Sequence, residues 1–193
     1  DITIFGAEPH PNYNRILLSP VLAGEQTLEE IVIHPLAWYA ERGIRLHLGR
    51  RVTGIDRARR VVVADDGTRA DYDRLLIATG STPFLLPVPG KDLAGVITYR
   101  DIADTETMMA AAQRYQHAVV IGGGVLGLEA ANGLMRRGMQ VTVVHIGSWL
   151  MERQLDAVAG QLLRQSLEAR GLHFELGAQT DQFIAGADGR VMA

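Results

Sequence analysis

Apolar positions along this chain recur with two periods, and the two are arranged differently in its two halves. In the first half, "DITIF" (1–5), "IRLHLG" (44–49), "RRVTGID" (50–56) and "RRVVVADDGTRADYD" (59–73) show short or alternating apolar runs, which predict strands. Asp66-Gly67 is placed as a hairpin turn between two antiparallel strands. "LLIATG" (75–80) is an unbroken apolar run and predicts a strand buried on both faces. Between these lie "GAEPHPNYNRILLSPVLAG" (6–24), whose prolines and asparagines predict a long irregular loop, and "HPLAWYAERG" (34–43), with Pro35 near a helix start and Gly43 past its end. Thr27 and Glu30 have capping-box spacing.

The second half is more regular. "DTETMMAAAQRY" (104–115) predicts a helix, "AVVI" (118–121) a strand, "VLGLEAANGLMRR" (125–137) a helix closed by Gly138, and "VTVVHI" (141–146) a strand. In "LDAVAGQLLRQSLEARG" (155–171), Leu155, Val158, Ala159, Leu162, Leu163 and Leu167 share one helical face, and "LHFEL" (172–176) returns as a strand. Strand–helix–strand–helix–strand is the doubly wound α/β pattern. The proline- and glycine-rich stretch "STPFLLPVPGKDLAG" (81–95) is the expected boundary, giving a first domain over 1–96 and a second over 97–193.

Composition removes several function classes. Apolar residues make up 47% and charged residues 21% of the 193, an ordinary globular balance. A net charge of −3 offers no basic excess for nucleic acid. The apolar runs are too short to cross a bilayer. "DITIFGAEP" lacks the basic and apolar regions of a signal peptide, so the cytoplasm is the expected address. It also opens directly on a strand, as a piece of a longer chain would. With no cysteine and no i,i+4 histidine pair, neither a disulfide nor a metal site is expected.

The candidate chemistry lies in "AVVIGGGVLGLEAANGLMRRGMQVTVVHIG" (118–147). Gly122, Gly124 and Gly127 form G-x-G-x-x-G between a strand and a helix, within a unit of about thirty residues, as dinucleotide binding requires. Gly122 permits the tight turn, Gly124 lets backbone approach a pyrophosphate, and Gly127 lets helix pack on strand. The intervening Gly123, Val125 and Leu126 complete the expected cradle, with the pyrophosphate at the positive end of the helix. About twenty residues on, where an Asp or Glu would read the ribose 2′-hydroxyl of NAD, stands His145. Neutral imidazole can bond a hydroxyl and imidazolium can face a 2′-phosphate, so NAD(P)H is the expected nucleotide. His145 as a plain polar strand end is the alternative. Glu129, in the first helical turn, is stabilised there by the helix dipole.

"YDRLLIATGSTP" (72–83) resembles the second flavin-contact motif of the two-dinucleotide-domain flavoprotein reductases, the pyridine nucleotide-disulphide reductase-like family. In that family an NAD(P)H domain is inserted into an FAD domain, both Rossmann-like. The resemblance implies that Ala78, Thr79 and Gly80 meet FAD, that Glu8 holds its adenosine ribose, that Arg15 lies beside the flavin and its phosphates, that Val52 lines the adenine site, and that Glu129 faces the nicotinamide. It makes the first domain a partial FAD domain and the second the NAD(P)H domain. No acid–base catalytic residue is required. "AWYAERGI", "GGGVLGLEAA" and "LMERQLD" (150–156) are similar to the nitrite reductase branch. That likeness implies hydride entry to FAD, with iron–sulfur and siroheme centres in other parts of a longer enzyme, whose remaining domains and a small subunit would be partners. The chain departs from the family in four respects. The family's first G-x-G-x-x-G, which precedes "DITIF", is not in this sequence. The return to the FAD domain and the interface domain are likewise absent. No cysteine is present for iron–sulfur or siroheme ligation. Pro20 stands where related ferredoxin reductases carry a lysine. A ferredoxin or rubredoxin reductase or an NADH oxidase of the same fold is the alternative enzyme, and a non-catalytic nucleotide-binding module the alternative class.

Overall fold

The computed structural model describes residues 1–192. In chain order the elements are β1 (Ile2–Phe5), a 3-10 turn (Arg15–Leu17), α1 (Leu18–Leu22), α2 (Leu36–Glu41), β2 (Ile44–His47), β3 (Val52–Asp56), β4 (Val61–Ala64), β5 (Arg69–Asp71), α3 (Ile102–Ala112), β6 (His117–Ile121), α4 (Val125–Arg136), β7 (Gln140–His145), α5 (Ala157–Glu168) and β8 (His173–Leu176). They form two compact units, one of Asp1–Arg15 with Glu29–Ser81, the other of Ile16–Leu28 with the chain from Thr82 on. Compactness groups the chain on either side of 81/82 and gives a segment from the first half, Ile16–Leu28, to the second unit.

In the first unit, β1 pairs in parallel with β2, with Ile2 opposite Ile44 and Phe5 opposite His47. β3, β4 and β5 form an antiparallel sheet turned by Asp66-Gly67. The Asp66 carboxylate accepts from the Thr68 backbone N–H at 3.0 Å, and this bond, with the Thr68 hydroxyl, holds its pKa below the ordinary value. α2 runs from Pro35 as its N-cap, and Trp38 stacks on His34 at 4.0 Å.

The run at 75–80 does not form the expected strand. It has no regular structure and no sheet pairing, and Leu76 and Ile77 are 87% and 66% exposed. A strand buried on both faces needs a hydrogen-bonded neighbour, and among the described residues none pairs with it. "TLEEI" makes a turn, not a helix.

The second unit is built on a parallel sheet in the order β6-β7-β8, with Val120 opposite Val143 and Val143 opposite Phe174. β7 is central, and Val141 and Val143 alternate into the core with no exposure. With Leu128, Ala131 and Leu134 of α4, and with Leu150, Leu172 and Phe174, they form the main hydrophobic cluster. Each fully buried Val or Leu side chain contributes roughly 1.5–3 kcal/mol. The expected irregular loop is helical over 15–22. Pro20 stands in the first turn of α1, where no backbone N–H is needed. A five-residue helix is not stable by itself. It is held by burial of Leu18, Val21 and Leu22 and by Arg137, whose Nε donates to Leu22 O at 2.5 Å and whose Nη2 donates to Val21 O at 3.0 Å.

α5 begins at Asp156, whose carboxylate accepts from the Ala159 N–H at 2.8 Å. Alanine at 156 removes this cap and is expected to cost about 1 kcal/mol, readable as a lower denaturation midpoint of the full-length protein. The expected apolar face of α5 is only partly buried. Leu167 and Gly160 are covered, but Val158 and Leu162 are 72% and 62% exposed. The helix is rotated so that Gly160 lies on Trp149 and the Leu150 carbonyl, which turns that stripe outward.

Candidate nucleotide-binding site

β6 leads straight into the glycine loop. The Gly122 N–H donates to Val144 O at 2.8 Å, which ties the loop to the neighbouring strand, and its φ of +118° is a conformation that L side chains rarely adopt. Gly127 lies where a Cβ would fall 2.0 Å from the Gly122 carbonyl oxygen, so α4 closes directly onto the loop. A Cβ at Gly123 would lie 2.9 Å from the His145 ring and 2.8 Å from Leu150. Gly124 is different. It is the N-cap of α4 with an ordinary φ of −85°, no side chain caps the helix, and a Cβ there would meet nothing within 4 Å. Helix geometry leaves the first N–H groups without intrahelical partners, so this end presents donors and a positive dipole beside open space. Val125 and Leu126 are about half exposed beside it, at 47% and 50%. A cradle of this form fits a pyrophosphate.

Two carboxylates flank the loop. Glu129 Oε2 accepts from the Ser19 hydroxyl at 2.7 Å, and Tyr99 Oη lies 3.3 Å from Ser19 Oγ. Burial pushes the Tyr99 phenol above its ordinary pKa, and the Glu129 charge adds to this against the lowering effect of the Ser19 bond. His145 ends β7 almost wholly buried, at 7% exposure, with Nε2 at 2.7 Å from Glu152 Oε2. Glu152 is held below the usual glutamate range, first by its own backbone N–H and then by the His145 bond. Ser19, Tyr99 and Glu152 were not legible as site residues in the sequence. Ser19 lies 110 positions from Glu129, and Glu152 falls in a turn without periodicity.

In the first unit, Glu8 and Arg15 are brought together. Arg15 Nη2 donates to Glu8 Oε1 at 2.5 Å and Tyr13 Oη to Glu8 Oε2 at 2.6 Å, so one carboxylate anchors both side chains. Val52 opens β3, half-buried, opposite Ala64. Ala78, Thr79 and Gly80 lie in the exposed stretch without sheet pairing. Among the described residues, no group of three or more His, Asp or Glu side chains could hold a metal ion, and no helix is long and apolar enough to cross a membrane.

A parallel sheet whose first strand runs through a glycine loop into an uncapped helix that closes on it at Gly127 defines a dinucleotide-binding α/β unit. The chain belongs to the pyridine nucleotide-disulphide oxidoreductase family, whose model matches residues 1–192. It is 52% identical over 183 residues to the NAD(P)H nitrite reductase of Bacillus subtilis (strain 168), covering 95% of this chain and 23% of that protein. It is 48% identical over 187 residues to the assimilatory nitrate reductase electron transfer subunit of the same organism, covering 97% of this chain and 24% of that one. This chain thus spans about a quarter of the length of these two relatives, 23% and 24%. Among solved structures, the covalent putidaredoxin reductase–putidaredoxin complex matches 99% of this chain and 47% of its own, with a TM-score of 0.88 and 30% identity.

Proposed function

We propose that this chain is the electron-entry part of an NAD(P)H-dependent flavoprotein: NAD(P)H binds at Gly122–Gly127 and gives hydride to FAD. The observation that carries it is the uncapped N-terminus of α4 behind the Gly122–Gly127 contact, which supplies donors for a pyrophosphate and room for it. Residues 1–96 act as a partial FAD domain and 97–193 as the NAD(P)H domain, Ala193 lying outside the described residues. Glu8, Arg15, Val52, Ala78, Thr79 and Gly80 would hold FAD, and the Glu8–Arg15 pair supplies a carboxylate for a ribose hydroxyl and a guanidinium for phosphate. The flavin, when bound, accepts electrons as a pair and can release them singly. Glu129, held by the Ser19 hydroxyl, would face the nicotinamide and orient it. With no cysteine in the sequence, electrons do not pass to a disulfide of this chain.

The identity to NAD(P)H nitrite reductase supports a longer enzyme that reduces nitrite with NAD(P)H; ammonia as its product, iron–sulfur and siroheme centres in its remaining domains, a small subunit as partner and a cytoplasmic location belong to the same proposal. A second reading, a ferredoxin or rubredoxin reductase, is favoured by the likeness to putidaredoxin reductase in its complex with putidaredoxin.

The test uses the full-length protein, anaerobic and with its flavin bound, mixed with NADH or NADPH while the visible flavin absorbance is followed. Bleaching by at least one nucleotide is expected. A flavin that dithionite reduces and neither nucleotide does would overturn the proposal.

A further inference from the structure

The end of β7 lacks an acidic residue of its own, yet a carboxylate stands there. Glu152 returns to the strand end and bonds His145, the last residue of β7. The turn between them is firmly held. Leu150 is fully buried, and the Met151 N–H donates to Gly123 O at 3.0 Å, which places residue 152 directly beside the glycine loop. Met151 itself has a φ of +56°, a conformation that a non-glycine residue keeps only where its surroundings fix it. Gln154 and Leu155 donate back to Met151 O at 2.8 and 2.9 Å, and Trp149 Nε1 donates to Leu155 O at 3.1 Å. From the other side, the Ala178 N–H donates to His145 O at 3.1 Å.

The two partners differ in access. The His145 side chain is 8% exposed and its Nε2 is engaged, whereas the Glu152 side chain is 38% exposed. In a dinucleotide fold the adenosine ribose meets the carboxyl end of the second strand, about twenty residues beyond the glycine loop. We propose that Glu152, delivered to the end of β7 and oriented by His145, is the carboxylate that reads the ribose 2′ position, accepting from the hydroxyl of NADH and repelling the 2′-phosphate of NADPH. This rests on the reading of Gly122–Gly127 as the nucleotide site. His145 is then a positioning residue. Arg153, the next residue, is the cation that a 2′-phosphate would have to recruit.

Binding can be measured without turnover. The full-length protein is titrated with NAD+ and with NADP+ at equilibrium, as wild type, Glu152→Gln and Gly124→Asp. Wild type is expected to bind NAD+ at least about tenfold more tightly, and Glu152→Gln to lose about tenfold of that preference, chiefly by gaining affinity for NADP+. Glu152→Ala is a second variant that removes the carboxylate, with circular dichroism as the check of folding. A wild type that prefers NADP+, or a ratio unchanged within about twofold in both Glu152 variants, overturns the role of Glu152 while leaving the site in place. If Gly124→Asp binds both dinucleotides as wild type does, the site itself is misplaced and the proposal falls with it.

Discussion

Alanine at Gly127 is expected to destabilise the second unit by about 3 kcal/mol, the upper part of the range for overpacking a close-packed site. The added Cβ would stand 2.0 Å from the Gly122 carbonyl oxygen and 3.0 Å from its carbon, where ordinary carbon–oxygen contacts exceed about 3.3 Å. The obstacle is backbone, so no rotamer relieves it. Nor can the carbonyl swing away cheaply, because its peptide runs into Gly123, whose own carbonyl accepts from the Met151 N–H. α4 must move outward instead, taking Leu128, Ala131 and Leu134 out of register with Val141 and Val143 of the sheet. For a unit of this size the loss corresponds to a fall in Tm of roughly 6–12 °C. Thermal unfolding of the full-length protein, followed by circular dichroism, measures it. An unchanged transition would mean that α4 does not close on the loop as described.

The parts of this site that were legible in the sequence share one property: they are local. The run from Ala118 to His145 states a strand, a turn, a helix and a strand through apolar periods and the spacing of Gly122, Gly124 and Gly127, and each element formed with those neighbours. The Asp66-Gly67 hairpin was legible for the same reason. Where tertiary partners decide, local pattern failed in both directions. Residues 75–80 have the composition of a buried strand, but strand pairing is a relation between segments, and among the described residues no partner supplies it. Residues 15–22 have the composition of a loop and fold as helix because Leu22 and Arg137, 115 positions apart, bind that segment to α4. Glu152 is a different case. It is only 7 positions from His145, but the chain reverses between them, and neither period 2 nor period 3.6 describes a reversal. His145 therefore reads in sequence as a missing acid, while in three dimensions it is the holder of one.

Aspartate at Gly124 is expected to separate stability from binding, two properties that alanine at Gly127 would damage together. The position has an ordinary φ of −85° and open space beyond its Cα, so a side chain enters without strain. Aspartate is a preferred N-cap, and here it would satisfy N–H groups of α4 that no side chain caps in the wild type. A gain of a few tenths of a kcal/mol over glycine is the expected effect on folding. The same carboxylate would occupy the donors assigned to the pyrophosphate and add a negative charge to the cradle. Two like charges about 4 Å apart repel by about 4 kcal/mol at the effective dielectric of a partly exposed site. Even with solvent relaxation, about a hundredfold loss of NAD+ affinity is expected, with reduction of the flavin by NADH slowed in proportion at low nucleotide. Equilibrium titration and thermal unfolding of the same preparation give both numbers. Wild-type affinity in a stable Gly124→Asp protein would remove the nucleotide from this loop. Lost affinity in a protein that has also lost stability would remove the open, uncapped helix end from which the site was argued.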